Sequence, residues 1–204
     1  MYTPAAFRSD DLDWIFAHVE RHDFGLLVSA APLTVSHLPF QLVRPAGEAP
    51  AQLICHVARA NPHWRAFQGA GAAALAVFPG PHAYISPSWY GVQPSVPTWN
   101  YDAVQASGLA TLVEDPAEIA LQMRAMAAAY EPVPGFDMDA QPADYMDKMF
   151  RGLVGIRLEV GHWTGKRKQS QNRPPADRTA IAAALEARGD HAAAAALREA
   201  NGLA

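Results

Sequence analysis

The sequence predicts a mainly β protein, an antiparallel barrel or sandwich core with helices around it, the barrel being the expectation. Three observations predict it. Six or seven short segments alternate apolar and polar residues or run apolar and β-branched. Most of them are joined by short, proline- and glycine-bearing connections. They do not alternate with long crossover helices, which argues against a doubly wound parallel sheet.

The elements follow in order. Ser9 is expected to cap a first helix in which Asp10 and Asp11 suit the positive helix start, and Leu12, Ile15, Phe16 and Val19 form one apolar stripe. Phe24 to Ala30 is the first strand, and Ala31-Pro32 turns the chain into Leu33 to Leu42. The apolar phase flips in that second strand, from Leu33 and Val35 to Leu38, Phe40 and Leu42, which predicts a bulge near Ser36-His37. A loop (Arg44 to Pro50) precedes a strand over Leu53 to Arg59, and Asn61-Pro62 starts a short helix over His63 to Phe67. Two strands, Ala73 to Phe78 and Ala83 to Ser86, are expected on either side of Pro79-Gly80-Pro81.

A proline-rich aromatic loop follows, and then a strand over Val104 to Val113. Asp115 and Glu118 form a capping box for a helix through Tyr130 whose buried face is Ile119, Met123, Met126 and Tyr130. A shorter helix is expected over Ala143 to Phe150. The clearest strand carries Val154, Ile156, Leu158 and Val160 on one face. Beyond a basic run over Lys166 to Arg173, two alanine-rich helices are divided by Gly189-Asp190.

Composition narrows the class. A chain of 204 residues with 18% charged and 9% aromatic residues suits one soluble domain, or one domain with a helical appendage, and not a disordered chain. Cys55 is the single cysteine, so no intrachain disulfide forms, as in a reducing compartment. No signal segment or apolar run of membrane-spanning length is visible, so the expected location is cytoplasmic with no membrane partner. A net charge of −4 weakens any picture of a dedicated nucleic-acid binder.

Several motifs fail on context. Gly69 to Ala74 has the letters of a dinucleotide fingerprint, but the helix precedes the glycines and the strand follows them. His18 and His22 have helical spacing without the zinc-protease glutamate, so solvated histidines on a polar face are expected and no metal. Cys55 and His56 are neighbours on a strand and point to opposite faces, so they form no nucleophile–base pair. No catalytic residue is assigned, and a binding role and an enzyme both stay open.

Three segments carry residue choices that a plain barrel does not need. In HVARANPHW, Arg59 and the Asn61-Pro62 helix start offer a cation beside free N–H groups, a phosphate-holding combination; the alternative is an ordinary cap with a solvated arginine. GPHAYISPSWY and VPTWNY place aromatic side chains with Thr98 and Asn100 in a loop-rich stretch, which suits a flat heteroaromatic ligand or a subunit interface. KRKQSQNR, Lys166 to Arg173, holds four cations with amides and a hydroxyl; it suits a second anion contact, a nucleic acid, or a solvated basic turn.

Together these segments resemble the PaiB-like family of FMN-binding negative transcriptional regulators. That family has a split β-barrel fold similar to flavin reductases and pyridoxamine phosphate oxidases. The matching stretches are MYTPAAF, HLPF, HVARANPHWRAF, GPHAYISPSWY, VPTWNYDAV, GLVGI and SQNR, in the family's order over residues 1 to about 173. One departure is Gln169, where an apolar side chain is usual.

The resemblance implies a split-barrel FMN-binding domain over 1–173, with N-terminal and inserted helices, and a helical tail over 174–204. It implies a homodimer with FMN between subunits and a role in repressing genes, those for extracellular degradative enzymes and sporulation. Motif matching combined with the chemistry above places Arg59 and Asn61 near the FMN phosphate and His56 on the ribityl or phosphate side. It places Trp99 and Asn100 near the ring, and Lys168, Gln171 and Asn172 on the remaining polar edge. No helix-turn-helix is visible, so regulation without direct DNA contact is expected. The rival readings are a flavin-dependent oxidoreductase or flavin reductase using a reduced nicotinamide, and a flavin-free dimer with an interfacial aromatic loop.

Overall fold

The computed structural model describes residues 1–132 and 135–203. In chain order the elements are β1 (Arg8–Ser9), α1 (Leu12–Arg21), β2 (Phe24–Ala30), β3 (Leu33–Pro39), β4 (Gln41–Val43) and β5 (Gln52–Ala58). Then come β6 (Ala72–Ile85), β7 (Thr98–Val113), α2 (Pro116–Tyr130), α3 (Ala143–Arg151), β8 (Leu153–Lys168), α4 (Pro175–Ala187) and α5 (His191–Asn201). The strands follow the hydrogen-bonded order β3-β2-β6-β7-β8-β5-β4, with β1 joined to β8. The pairings of β1 with β8, β2 with β3 and β6, and β5 with β4 and β8 are antiparallel. The fold is therefore the mainly antiparallel one, with flanking helices, that the sequence predicts. No helix of the described residues is long and apolar enough to cross a membrane. The helical tail read as 174–204 is described to Leu203, and Ala204 lies outside the described residues.

The chain forms two compact units, one of Met1–His22, Phe78–Gln105 and Trp163–Ala204, the other of Asp23–Val77 and Ala106–His162. In the second unit β3 pairs one for one with β2 from Leu33 to Pro39, so the bulge expected at Ser36-His37 is not there. The phase flip has another cause. Leu33 and Val35 lie exposed on the outer face of an edge strand, and Leu38 and Phe40 are buried where the chain breaks from β3 into β4. Val113, Ile119, Met123 and Phe150 form one core cluster, so the methionine stripe of α2 is packing. Tyr130 departs from that stripe: it is exposed, and its hydroxyl donates to the Asp23 carboxylate. Asp115 caps the Ala117 N–H, but Glu118 pairs with Arg157 and accepts from Gln122, leaving the capping box half formed.

In the first unit the helix cap is Asp11, not Ser9. The Asp11 carboxylate accepts from the N–H groups of Asp13 and Trp14, while Ser9 pairs with Gly165 as part of β1. β6 runs unbroken through Pro79-Gly80-Pro81. Its last residue paired to β2 is Val77, so the missing proline N–H groups fall beyond that ladder. β7 begins at Thr98, six residues before the predicted start, and β8 continues through Lys168. The basic run therefore begins as strand over Lys166 to Lys168, with Lys166 buried, and turns from Gln169 onward. α4 and α5 pack Ile181, Leu185 and Leu197 against Ile85 and Tyr90 in a second core cluster. Truncating Leu185 to alanine would cost about 2–5 kcal/mol.

Candidate functional site

Three of the residues singled out in the sequence lie in the second unit. His56 sits on β5 opposite Gly155 of β8. Burial holds its imidazole below the usual histidine value, and its Nδ1 is buried without a protein partner. Cys55 points the other way, fully buried, with its thiol pushed up by burial, so the two form no reactive pair.

Arg59 leaves the end of β5 with its guanidinium engaged. Nε donates to the Arg151 carbonyl and Nη2 to the Leu153 carbonyl, both at 3.0 Å, and Glu114 lies 3.6 Å from Nη1. Asn61 is the cap predicted: its Oδ1 accepts from the His63 N–H at 3.0 Å. Its Nδ2 donates to Ser36 Oγ at 3.4 Å.

Nothing in the residue pattern points to the relay behind that cap. Ser29 Oγ donates to the Pro32 carbonyl at 2.6 Å, so it accepts from His63 Nε2 at 3.1 Å. His63 is thereby the Nε2–H tautomer, and its Nδ1 accepts from the Ser36 hydroxyl at 2.8 Å. Burial holds His63 below the usual value, which suits this neutral role. Serine and histidine at these positions follow no periodic pattern. Only the pairing of β2 with β3 lines up Ser29 with Thr34 and Ser36 with Leu27, bringing the two hydroxyls to one imidazole.

The other five residues lie in the first unit. Asn100, Lys168 and Asn172 meet in one cavity of about 210 Å³, together with Thr98, Ser170 and Arg173. Phe7 and Tyr90 supply its aromatic surface. Asn100 is only 2% exposed, and both ends of its amide meet Ser170 Oγ, at 3.0 and 3.1 Å. Ser170 takes a left-handed backbone, φ 60°, that a non-glycine residue adopts only when its surroundings impose it.

Gln171 fixes the same turn from within. Its side chain accepts from the Gln169 N–H and donates to the Arg167 carbonyl, so it clamps the turn and does not line the cavity. Trp99 is also outside the cavity. It neighbours Asn100 on a strand and so faces the other way, 54% exposed, with Tyr84 at 6.0 Å and His82 at 6.4 Å between ring centres. The early start of β7 thus divides a pair that the sequence placed together in a loop.

The cavity is cationic. Lys168 Nζ donates to Thr98 Oγ1 and to the Trp99 carbonyl, and Arg173 stacks 4.1 Å above the Tyr90 ring. Burial, and then the charge of Lys166, hold the Lys168 ammonium below the usual lysine value. An anion would relieve both effects. Thr98, Ser170, Arg173 and Phe7 are the contributors that sequence reasoning left out of the site. Thr98 and Asn100 share a strand face by their spacing of two, a signal hidden while this stretch was taken for loop. Among the described residues there is no cluster suited to a metal ion.

The profile of the family described as "Putative FMN-binding domain" matches residues 1–162. The chain is 33% identical over 182 residues to "Protease synthase and sporulation protein PAI 2" of Bacillus subtilis, covering 87% of this chain and 85% of the relative. An uncharacterized protein of Aspergillus fumigatus is 25% identical over 237 residues, with 91% of each chain covered. Among solved structures, the flavocytochrome Anf3 of Azotobacter vinelandii aligns with a TM-score of 0.58 at 14% identity, covering 79% of this chain and 69% of its own. The FAD and heme binding protein of Mycobacterium smegmatis aligns at 0.59 with 15% identity, covering 80% and 74%. At such identities the two structures share the fold, which is the split-barrel class.

Proposed function

We propose that this chain, which belongs to the PaiB-like family of FMN-binding domains, holds FMN at a site completed by a second copy of itself. One observation carries the reading. The cavity at the β7–β8 turn gathers two cations, hydroxyl and amide groups and two aromatic surfaces, the set a phosphorylated heteroaromatic needs. Its volume of about 210 Å³ is too small for a whole flavin, against roughly 300–1,000 Å³ for sites of that ligand size. The partner copy supplies the rest, and His56 with its unpaired buried Nδ1, Arg59 and Asn61 are the residues assigned to that complementary face. Lys168 and Arg173 are assigned the phosphate. The Arg59 guanidinium is already held by two carbonyls, whereas the Lys168 ammonium lacks an anion.

The biological role is read as negative regulation of gene expression, supported by the sporulation and protease-synthesis name of the Bacillus subtilis relative. The basic run is not a free DNA-binding face, because Lys166 is buried and donates to the Tyr2 carbonyl. Regulation is therefore assigned to flavin state or to a protein partner, with the protein itself in the cytoplasm.

Four measurements test this. The purified protein should show flavin absorbance, or acquire it with added FMN, and a native mass of twice the chain. FMN should bind at least about tenfold more tightly than riboflavin, the difference expected of charge-assisted bonds to the phosphate. A colourless protein that ignores FMN would overturn the cofactor. A yellow monomer would overturn the shared site. Sequence-specific retardation of DNA by the pure protein at physiological salt would overturn the indirect role.

A further inference from the structure

Of the two histidines set aside as solvated in the sequence, His18 of α1 is buried, and His22, the residue after the helix, is half-buried. His18 is 5% exposed, and its Nε2 donates to the Phe78 carbonyl at 3.1 Å. It stands in an aromatic ladder, with Trp14 at 5.1 Å and His22 at 4.6 Å between ring centres. This ladder is one wall of a groove of about 640 Å³, within the range of small-molecule sites. The facing wall is α5, which presents the small side chains of Ala192, Ala195 and Ala196, with Glu199 at the end of this stretch. Arg21, Pro81, Asp102 and Arg167 also line it.

The polar groups here lack partners in a particular way. Asp102 is 5% exposed and receives one donor at Oδ1, from Gln169 at 2.9 Å. Gly80 permits this crowding: a Cβ there would lie 2.5 Å from His18 Cε1 and 3.2 Å from Asp102 Cβ. Arg167 lies over the Trp14 ring at 4.8 Å and pairs with Glu199 through Nη2, but its Nε is buried with no acceptor. The groove thus offers a carboxylate short of donors, a guanidinium N–H short of an acceptor, and a wall of aromatic rings tilted 42° and 52° to one another.

We propose that the α1–α5 groove is a second ligand site, taking a planar 2-amino-4-oxo-pyrimidine ring, as in a guanine nucleoside or a pterin. The ring packs against the wall that Trp14, His18 and His22 form. Its adjacent ring N–H and exocyclic amine donate to the Asp102 carboxylate, and its carbonyl accepts from Arg167. A donor–donor–acceptor edge satisfies the groups at hand; adenine or uracil edges do not. Burial raises the Asp102 carboxyl to about 6 and holds His18 at about 4, so near neutral pH the first is ionised and the second is a neutral acceptor. The other charges acting on Asp102 are Arg167 of β8, Glu199 of α5 and Arg21 of α1; Asp11 and Asp13 line the same groove at the helix start.

Guanosine and pterin, each titrated against tryptophan fluorescence and calorimetry on the full chain, test the proposal. Saturable binding of at least one is expected, with its signal lost in Trp14→Phe. Inosine, which lacks only the amine, should bind about tenfold or more weakly than guanosine. Asp102→Asn, which keeps the shape, should weaken binding to the same degree, and affinity should fall as the pH drops below about 6. Ala195→Phe lies on the exposed wall and should block the groove without disturbing the fold, which keeps the test decisive if the buried variant unfolds. Lys168→Ala should leave this binding unchanged, since it belongs to the other cavity. No saturable binding of either probe at millimolar concentration, or equal binding by Ala195→Phe, would overturn the proposal.

Discussion

Two cavities in one unit draw on the same pair of strands and come out chemically opposite. Asn100 and Asp102 lie two residues apart on one face of β7 and are both buried. Asn100 is satisfied by Ser170 and stands beside cations; Asp102 carries a charge and has one side-chain donor. Burial acts on both cavities in one way, against the charged form. It lowers the lysine at one and raises the aspartate at the other. The first cavity thus favours an anion and the second a hydrogen-bond donor to Asp102, and the difference rests on which ionisable residue the strand alternation delivers inward.

The largest separation should come from Lys168 and Arg173. Replacing both by alanine should weaken FMN by about 3–5 kcal/mol, with little change for riboflavin, if each makes a charge-assisted bond to phosphate. Fluorescence titration of both ligands reads the ratio, and an unchanged ratio removes the phosphate from this cavity.

Next in size is a pair of opposed pH effects in the α1–α5 groove. Asp102 keeps its proton to a higher pH when folded, so its contribution to stability is complete below the ordinary carboxylate range and is lost as pH rises through about 6. His18 resists protonation when folded, so its contribution is present above the ordinary histidine value and is lost as pH falls through about 4. The slopes oppose each other between these limits and largely cancel, each worth roughly 3 kcal/mol. Denaturant unfolding across this range should be nearly flat in the native chain. It should slope down toward acid in Asp102→Asn and down toward neutral in His18→Gln. Parallel curves in all three would show that burial is not what sets these groups.

Arg59 offers the contrast of a cation already engaged. Arg59→Ala should cost about 1–2 kcal/mol of stability, discounted for exposure, through its carbonyl partners at the α3–β8 junction. Thermal unfolding measures it, with a fall of a few degrees expected. Loss of flavin with no fall in Tm would return the phosphate to this corner. The smallest effect belongs to Asn61→Ala, about 1 kcal/mol for a lost cap, read by the same method.

The fold was legible wherever one face of an element meets apolar core and the other meets polar surroundings. Val154 to Val160 alternate in sequence and are buried in alternation. Ile119 and Met123 recur at helical spacing and pack together. Reading failed where that contrast disappears. Thr98 to Tyr101 looked like loop because prolines precede it and polar residues interrupt it, yet it is paired strand. Lys166 to Lys168 looked like a solvated turn because a strand carrying three cations has no apolar signature. His18 looked solvated because the carbonyl it donates to is sixty residues away. Gln169 stood out as a departure in the sequence, and its reason is equally remote: its amide donates to Asp102.

Local patterning by itself determined the mainly β class, the Asn61 and Asp115 caps, the two C-terminal helices and the family, because propensity, capping and motif order are properties of neighbours along the chain. Tertiary structure alone decided which polar residues are buried together. Strand register sends Asn100 inward and Trp99 outward, and brings Ser29, Ser36 and His63 to one relay. It also decided that Asp102, Gln169 and Arg167 converge near α1. Such convergence depends on residues far apart in sequence, and the cost of burying a charge exists only once the chain has closed around it.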